Sequence, residues 1–304
     1  MELILVAGFL GAGKTTLIKR LLSYCAPRRV RLIVNEFGRV GVDGALLKGL
    51  GATVDEIAGG SIFCACRLDA FEAALDRAQA DGPDVLLVEA SGLSDPTAIR
   101  TVLEQSGRYP AILYRGCIAL ADATRLHKVV DTARVCAKQL GVADLIALTK
   151  TDVAAPSQIE DARALLANRF PGVPVVEAVQ GNVPREAFDA LSPNRPAQLG
   201  DARRDLTLQK ALLGVSPEMT SDRLRAFLRL FAEDTHRVKG LARLKDGDFE
   251  ADCVGAYVRV APYAGGGVNN RLVALAGEGM PLRKSLKAAV DWYSTLVWEV
   301  KDDA

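Results

Sequence analysis

The sequence predicts a doubly wound, mostly parallel α/β domain followed by a smaller α+β domain. Two observations carry this. Over residues 1 to about 195, short continuous Val/Ile/Leu/Ala runs alternate with stretches of helical periodicity, the pattern of parallel strands covered on both faces. From about residue 205 the order changes to strand, helix, three strands, helix. The expected domains are 1–195 and 205–304, joined by a linker over 196–204. Pro193 and Pro196 mark the break.

Each element follows from local pattern. Strands are expected over 2–7, 30–35, 84–89, 116–122, 143–149 and 173–179, where apolar runs stop at glycine or polar residues. Helices are expected over Leu68–Ala80 and Pro156–Arg169. In the second domain, helices are expected over about 221–232 and 281–296, and strands over 252–260 and 271–276. Between those two strands, Ala264-Gly265-Gly266-Gly267-Val268-Asn269-Asn270 reads as a hairpin tip.

Composition bounds the function. Net charge is +1, which gives no nucleic-acid surface. No apolar run approaches the about 18 residues of a membrane span. The first ten residues carry Glu2 where an export signal has basic residues, so they read as a core strand. The six cysteines fit a reducing cytoplasm.

The chemistry starts at Gly8-Phe9-Leu10-Gly11-Ala12-Gly13-Lys14-Thr15, which fits G-x-x-x-x-G-K-[ST]. The strand before it is Leu3-Ile4-Leu5-Val6. After it, Leu17, Ile18, Leu21 and Leu22 repeat at helical spacing. Strand, glycine-rich turn and helix together make a phosphate cradle, because backbone N–H groups and the helix N-terminus converge on an anion. Gly8, Gly11, Ala12 and Gly13 would line it, with Thr16 in the first helical turn. Lys14 would reach the β/γ-phosphates and Thr15 would ligate Mg²⁺. The fold is thus expected to be of the P-loop NTPase kind.

Two more signals follow in order. Val85-Leu86-Leu87-Val88 ends in Glu89, and Gly92 comes three residues later. A carboxylate at that strand edge can hold Mg²⁺ through water, and the Gly92 amide can read a γ-phosphate. Thr149-Lys150-Thr151-Asp152 follows strand 143–148 and resembles the N/T-K-x-D guanine motif. Asp152 can accept from guanine N1–H and its amino group, a donor pair that adenine lacks. Lys150 can lie over base and ribose. After the second strand, Glu36 and Asp43 are carboxylates placed to touch Mg²⁺ or position water, or simply to form a solvated acidic loop.

With these residues placed, the chain resembles the CobW-like metallochaperone GTPases, relatives of the hydrogenase and urease maturation GTPases. The resemblance covers nearly the whole chain: Gly8–Thr16, Val34-Asn35-Glu36-Phe37-Gly38, Val42-Asp43, Glu89-Ala90-Ser91-Gly92-Leu93-Ser94-Asp95-Pro96, Ala121-Asp122-Ala123, Ala143-Asp144, Thr149–Asp152 and Arg237-Val238-Lys239-Gly240. It implies GTP hydrolysis to GDP, slow intrinsically, coupled to delivery of a metal or metal-containing cofactor to a client protein. A client metalloprotein or cofactor-dependent enzyme would be the partner, and a nucleotide-dependent homodimer could speed hydrolysis.

One departure stands out. The family has G-C-x-C-C as its transition-metal site. Here the stretch is Gly60-Ser61-Ile62-Phe63-Cys64-Ala65-Cys66-Arg67, so only Cys64 matches and Cys66 is an added thiol. Two thiolates can hold a soft divalent ion such as zinc or cobalt with borrowed ligands. They can also contact a cofactor or client, or be structural. Arg67 would lower a thiol pKa and repel a free cation. The rival readings are a GTP-regulated binding module without a metal role, an accessory GTPase of a corrinoid pathway, and a small-molecule kinase. The kinase reading lacks an acceptor site and a lid.

Overall fold

The computed structural model describes residues 1–36, 52–58, 68–97, 99–105, 107–193, 209–277 and 279–300. Asp43, Cys64, Cys66 and the expected linker lie outside these residues. So does the Glu36 side chain, although its backbone ends a strand. The chain divides into two compact units, Met1–Asp205 and Leu206–Ala304.

The first unit is a seven-stranded parallel sheet. Its strands are β1 (Glu2–Gly8), β2 (Val30–Glu36), β3 (Thr53–Ala58), β4 (Val85–Glu89), β5 (Leu113–Asp122), β6 (Leu145–Thr149) and β7 (Val175–Ala178), in the order β3-β2-β4-β1-β5-β6-β7. The helices are α1 (Lys14–Cys25), α2 (Leu68–Asp81), α3 (Ile99–Gln105), α4 (Leu126–Thr132), α5 (Arg134–Gly141), α6 (Pro156–Arg169) and α7 (Arg185–Asp189). β1 lies at the centre, and Leu3 through Ala7 have no exposed surface. The apolar stripe of α1 (Leu17, Ile18, Leu21, Leu22) packs in one core with Ile4, Val6, Leu32, Val34, Leu87 and Leu120. Removing that stripe from water is the main force that holds α1, and hence the loop before it, against the sheet.

β3 was not expected from the sequence. Thr53-Val54-Asp55-Glu56-Ile57-Ala58 is too polar to read as a buried strand. It is the sheet edge, and Asp55 there takes ion pairs from Arg31 at 2.7 Å and Arg77 at 3.1 Å.

The second unit is a six-stranded antiparallel sheet. Its strands are β8 (Gln209–Val215), β9 (Arg237–Leu244), β10 (Gly247–Val254), β11 (Tyr257–Pro262), β12 (Arg271–Ala276) and β13 (Val297–Val300), in the order β11-β10-β9-β12-β8-β13. Helices α8 (Ser221–Arg229) and α9 (Leu282–Trp292) supply Leu224, Phe227, Leu228, Leu282, Leu286 and Ala289 to its core.

Three expectations are corrected here. The strand expected over 252–260 is two strands, because Gly255, at φ 57°, turns the chain between β10 and β11. The glycine run at 265–267 is not a hairpin tip: it joins edge strand β11 to β12, and β10 and β9 lie between them in the sheet. The last helix stops at Trp292, and Val297–Val300 then pairs with β8 as a final strand.

Candidate nucleotide site

The cradle is built at the carboxyl end of the parallel sheet. β1 runs into Gly8, and α1 begins at Lys14. The N-cap between them is Gly13 at φ 100°, a conformation that side chains resist, and it makes no side-chain cap. The amides of the first turn of α1 therefore keep their capacity for an anion. Gly8 and Gly11 also sit at positive φ, while Ala12 is buried. Lys14 is 8% exposed and folds back over the loop, where Nζ donates to the Gly8 carbonyl at 2.9 Å and the Phe9 carbonyl at 3.5 Å. Thr15 is half-buried and Thr16 exposed in the same turn.

Glu89 is the buried last residue of β4, in register with Val6 of β1 and Val34 of β2. Its carboxylate thus lies beside the strand that enters the cradle. The next turn carries Gly92 onto the cradle itself. A Cβ at Gly92 would stand 2.8 Å from the Leu10 nitrogen and 2.9 Å from the Leu10 Cα. Only glycine permits that approach.

The third motif is tied to the first by a hydrogen bond. Thr149 ends β6, is 4% exposed, and its Oγ1 donates to the Ala12 carbonyl at 2.9 Å, with a weaker share to Ala121 at 3.2 Å. Lys150 follows at φ 60°, and its ammonium meets Asp122 Oδ2 at 2.6 Å. The other oxygen of Asp122 accepts from the Thr124 backbone at 3.0 Å and hydroxyl at 2.6 Å. Asp122 therefore fixes Lys150 in place. Asp152 is exposed two residues later.

Four residues around this site had no role assigned from the sequence. Asp122 is one. Gly181, after β7, is another: a Cβ there would stand 2.8 Å from the backbone of Thr16 and Leu17, so this loop lies against the first turn of α1. Asn35 and Gln139 are the other two, and both are buried against the Glu89–Ser94 turn. Gln139 left a trace in the sequence, since it falls on the buried stripe of α5 with Val135, Cys136 and Leu140.

Residues 2–177 match the family described as CobW/HypB/UreG, nucleotide-binding domain. The chain belongs to this family. Among curated relatives, the zinc chaperone CobW of a Sinorhizobium species is 31% identical over 208 residues, 59% of this chain and 59% of that protein. The Escherichia coli zinc chaperone YjiA is 32% identical over 185 residues, 59% of this chain and 58% of that protein. The matched region thus spans about three fifths of the length of these curated relatives. The solved Zn(II)-bound YjiA GTPase of E. coli shares 23% identity over 97% of this chain and 98% of that chain, with a TM-score of 0.45.

The residues of this CobW/HypB/UreG domain fit a nucleotide with Mg²⁺. The cradle offers amides and Lys14 to phosphates, and Thr15 and Glu89 are oxygen donors suited to a hard cation. Among the described residues, no three His, Cys, Asp or Glu side chains cluster as metal ligands. No described helix is long and apolar enough to cross a membrane.

Proposed function

We propose that this chain binds GTP with Mg²⁺, hydrolyses it slowly to GDP, and couples the nucleotide state to delivery of a soft divalent metal or metal-containing cofactor to a client protein. The observation that carries the reading is the Thr149–Ala12 hydrogen bond, which supports it by joining the Thr149–Asp152 segment to the glycine-rich loop. The relatives named as zinc chaperones support the metal half.

In this reading Gly8, Gly11, Ala12, Gly13 and the α1 N-terminus bind the phosphates. Lys14 exchanges the Gly8 and Phe9 carbonyls for the β/γ-phosphates, and it gains most where negative charge builds on the transferring group. Thr15 and Glu89 would hold Mg²⁺, which supplies charge neutralisation at the phosphoryl group. The Gly92 amide senses the γ-phosphate. Lys150, fixed by Asp122, packs along the nucleoside, and Asp152 reads the guanine edge. Glu36, at the end of β2, and Asp43, in the segment after it, would complete the site. Cys64 and Cys66 would bind the soft metal. The second unit would offer the client surface, and the setting is cytoplasmic. A homodimer formed in the GTP state would accelerate hydrolysis.

Thiol chemistry tests the coupling. The described cysteines are all buried, and burial raises their thiol pKa values, Cys136 and Cys253 to about 12. In the folded protein, fast reaction with a thiol reagent therefore reports on Cys64 and Cys66. Labelling rate and zinc affinity should differ between the GDP and GTP-analogue forms, the affinity by about fivefold or more. The double Cys64→Ser, Cys66→Ser variant should lose both signals. If neither depends on nucleotide or on these thiols, the binding-module reading replaces this one.

A further inference from the structure

The Glu89–Ser94 turn is held by a buried hydrogen-bond chain that no nucleotide motif requires. Asn35, at the end of β2, donates from Nδ2 to the Ile57 carbonyl of β3 at 3.2 Å. That bond fixes the orientation of its amide and leaves Oδ1 as a pure acceptor. Oδ1 takes the Ser94 hydroxyl at 2.9 Å and, more weakly, the Ser91 amide at 3.4 Å. The Ser94 and Ser91 hydroxyls are 2.8 Å apart. Ser94 has one proton and spends it on Asn35, so Ser91 must donate to Ser94. Ser91 Oγ in turn accepts from the Leu93 amide at 3.3 Å. All donors therefore point one way, from Leu93 through Ser91, Ser94 and Asn35 to Ile57. Asn35, Ser91 and Ser94 are at most 4% exposed, so water does not substitute for a broken link. From the other side, Gln139 Nε2 spans the carbonyls of Ser91, Gly92 and Ser94 at 3.3, 3.4 and 2.9 Å.

We propose that Asn35 and Ser94 are positioning residues for the γ-phosphate: through the Ser91–Ser94–Asn35 chain they hold the turn so that the Gly92 amide stands over the phosphate cradle. This rests on the GTP reading above. Leu93 is next to Gly92, so the chain fixes the peptide on one side of the sensing amide while Gln139 fixes the carbonyl on the other. The same links join the turn to β2 and β3, so a shift of Gly92 toward or away from a phosphate must bend or break them. They act through Gly92 and touch no phosphate. Their effect therefore falls on the difference between triphosphate and diphosphate, and base recognition at Asp152 is untouched.

The test is calorimetric affinity for Mg·GDP and for a non-hydrolysable Mg·GTP analogue, with kcat and KM for GTP. Ser94→Ala removes one hydroxyl and is the milder variant; Asn35→Ala removes the hub. Thr235→Ala, which deletes an equally buried hydroxyl in the second unit, is the control for loss of stability alone. Both test variants should shift the analogue-to-GDP affinity ratio toward GDP by about fivefold or more, the lower end of ordinary coupling between sites. GDP affinity should stay within about twofold of the starting protein, since the diphosphate does not call on Gly92. GTP kcat should fall, and because slow hydrolysis makes KM follow the GTP dissociation constant, KM should rise by about the same factor as the analogue affinity is lost; Thr235→Ala should lower only the melting temperature. If Ser94→Ala and Asn35→Ala keep the ratio and kcat while GTP still binds, the chain is only a brace and the proposal fails. If the unmodified protein does not bind GTP at all, it is the underlying reading that fails.

Discussion

Replacing Gly92 by alanine probes the contact between the turn after β4 and the phosphate cradle. The new Cβ would stand 2.4 Å from Leu10 Cδ2, 2.8 Å from the Leu10 nitrogen and 2.9 Å from its Cα. The Leu10 side chain can rotate away, but its backbone is the cradle. Carbon contacts settle at about 3.5–4.0 Å, so the turn and the cradle must separate by roughly 0.6–1 Å. Gly92 is not at positive φ, so the effect is steric rather than conformational. Forcing a methyl into a packed site costs about 1–3 kcal/mol. In a unit of this size each kcal/mol lowers the melting temperature by about 2–4 °C. The apo protein should therefore melt several degrees lower by differential scanning calorimetry. Under the proposed function, hydrolysis should fall far more than that loss explains, because the displaced amide would no longer reach the γ-phosphate, and a donor of this kind is worth about a hundredfold in kcat. Gly92→Ala with unchanged melting temperature and turnover would show that the turn does not press on the cradle.

Two further predictions concern named side chains. Lys14→Ala should cut hydrolysis by about a hundredfold or more and weaken GTP more than GDP, whereas Glu89→Gln should lower Mg²⁺-dependent turnover by about tenfold or more with little change in nucleotide affinity; steady-state kinetics and calorimetry check both. Thr149→Val keeps the shape but strips the Ala12 carbonyl of its buried donor, so denaturant unfolding should show a loss of about 1–3 kcal/mol, and the preference for GTP over ATP should weaken with it.

The nucleotide motifs were legible because their chemistry forces residue type. Glycine, lysine and threonine at fixed spacing, set between an apolar run and a helical stripe, leave few alternatives for residues 8–15. The parallel strands were legible because burial on both faces makes them continuously apolar. β3 escaped because an edge strand can be polar, and its Asp55 is fixed by arginines far away in sequence. The β10–β11 turn escaped because Gly255 was read as part of a single strand over 252–260. The roles of Asn35 and Gln139 escaped for a different reason. Their function is to satisfy the backbone and hydroxyls of a distant turn, and a single amide carries no local sign of its partner. Asp122, like Asn35, was visible only as part of a family pattern, and the Lys150 ion pair gives it a physical role.

The affinity of the folded protein for Mg·GTP and Mg·ATP, measured by titration calorimetry before and after Asp152→Asn, bears most directly on the reading of this site. Asp152 is exposed and ends the motif that Thr149 ties to the cradle, so the substitution should leave stability unchanged. Two charge-assisted hydrogen bonds to guanine are worth about 1.5–3 kcal/mol each. GTP should therefore bind tighter than ATP by about a hundredfold or more, and Asp152→Asn should collapse most of that margin by weakening GTP alone. Equal affinities for the two nucleotides, or a GTP preference that survives Asp152→Asn intact, would contradict the assignment of this site to guanine.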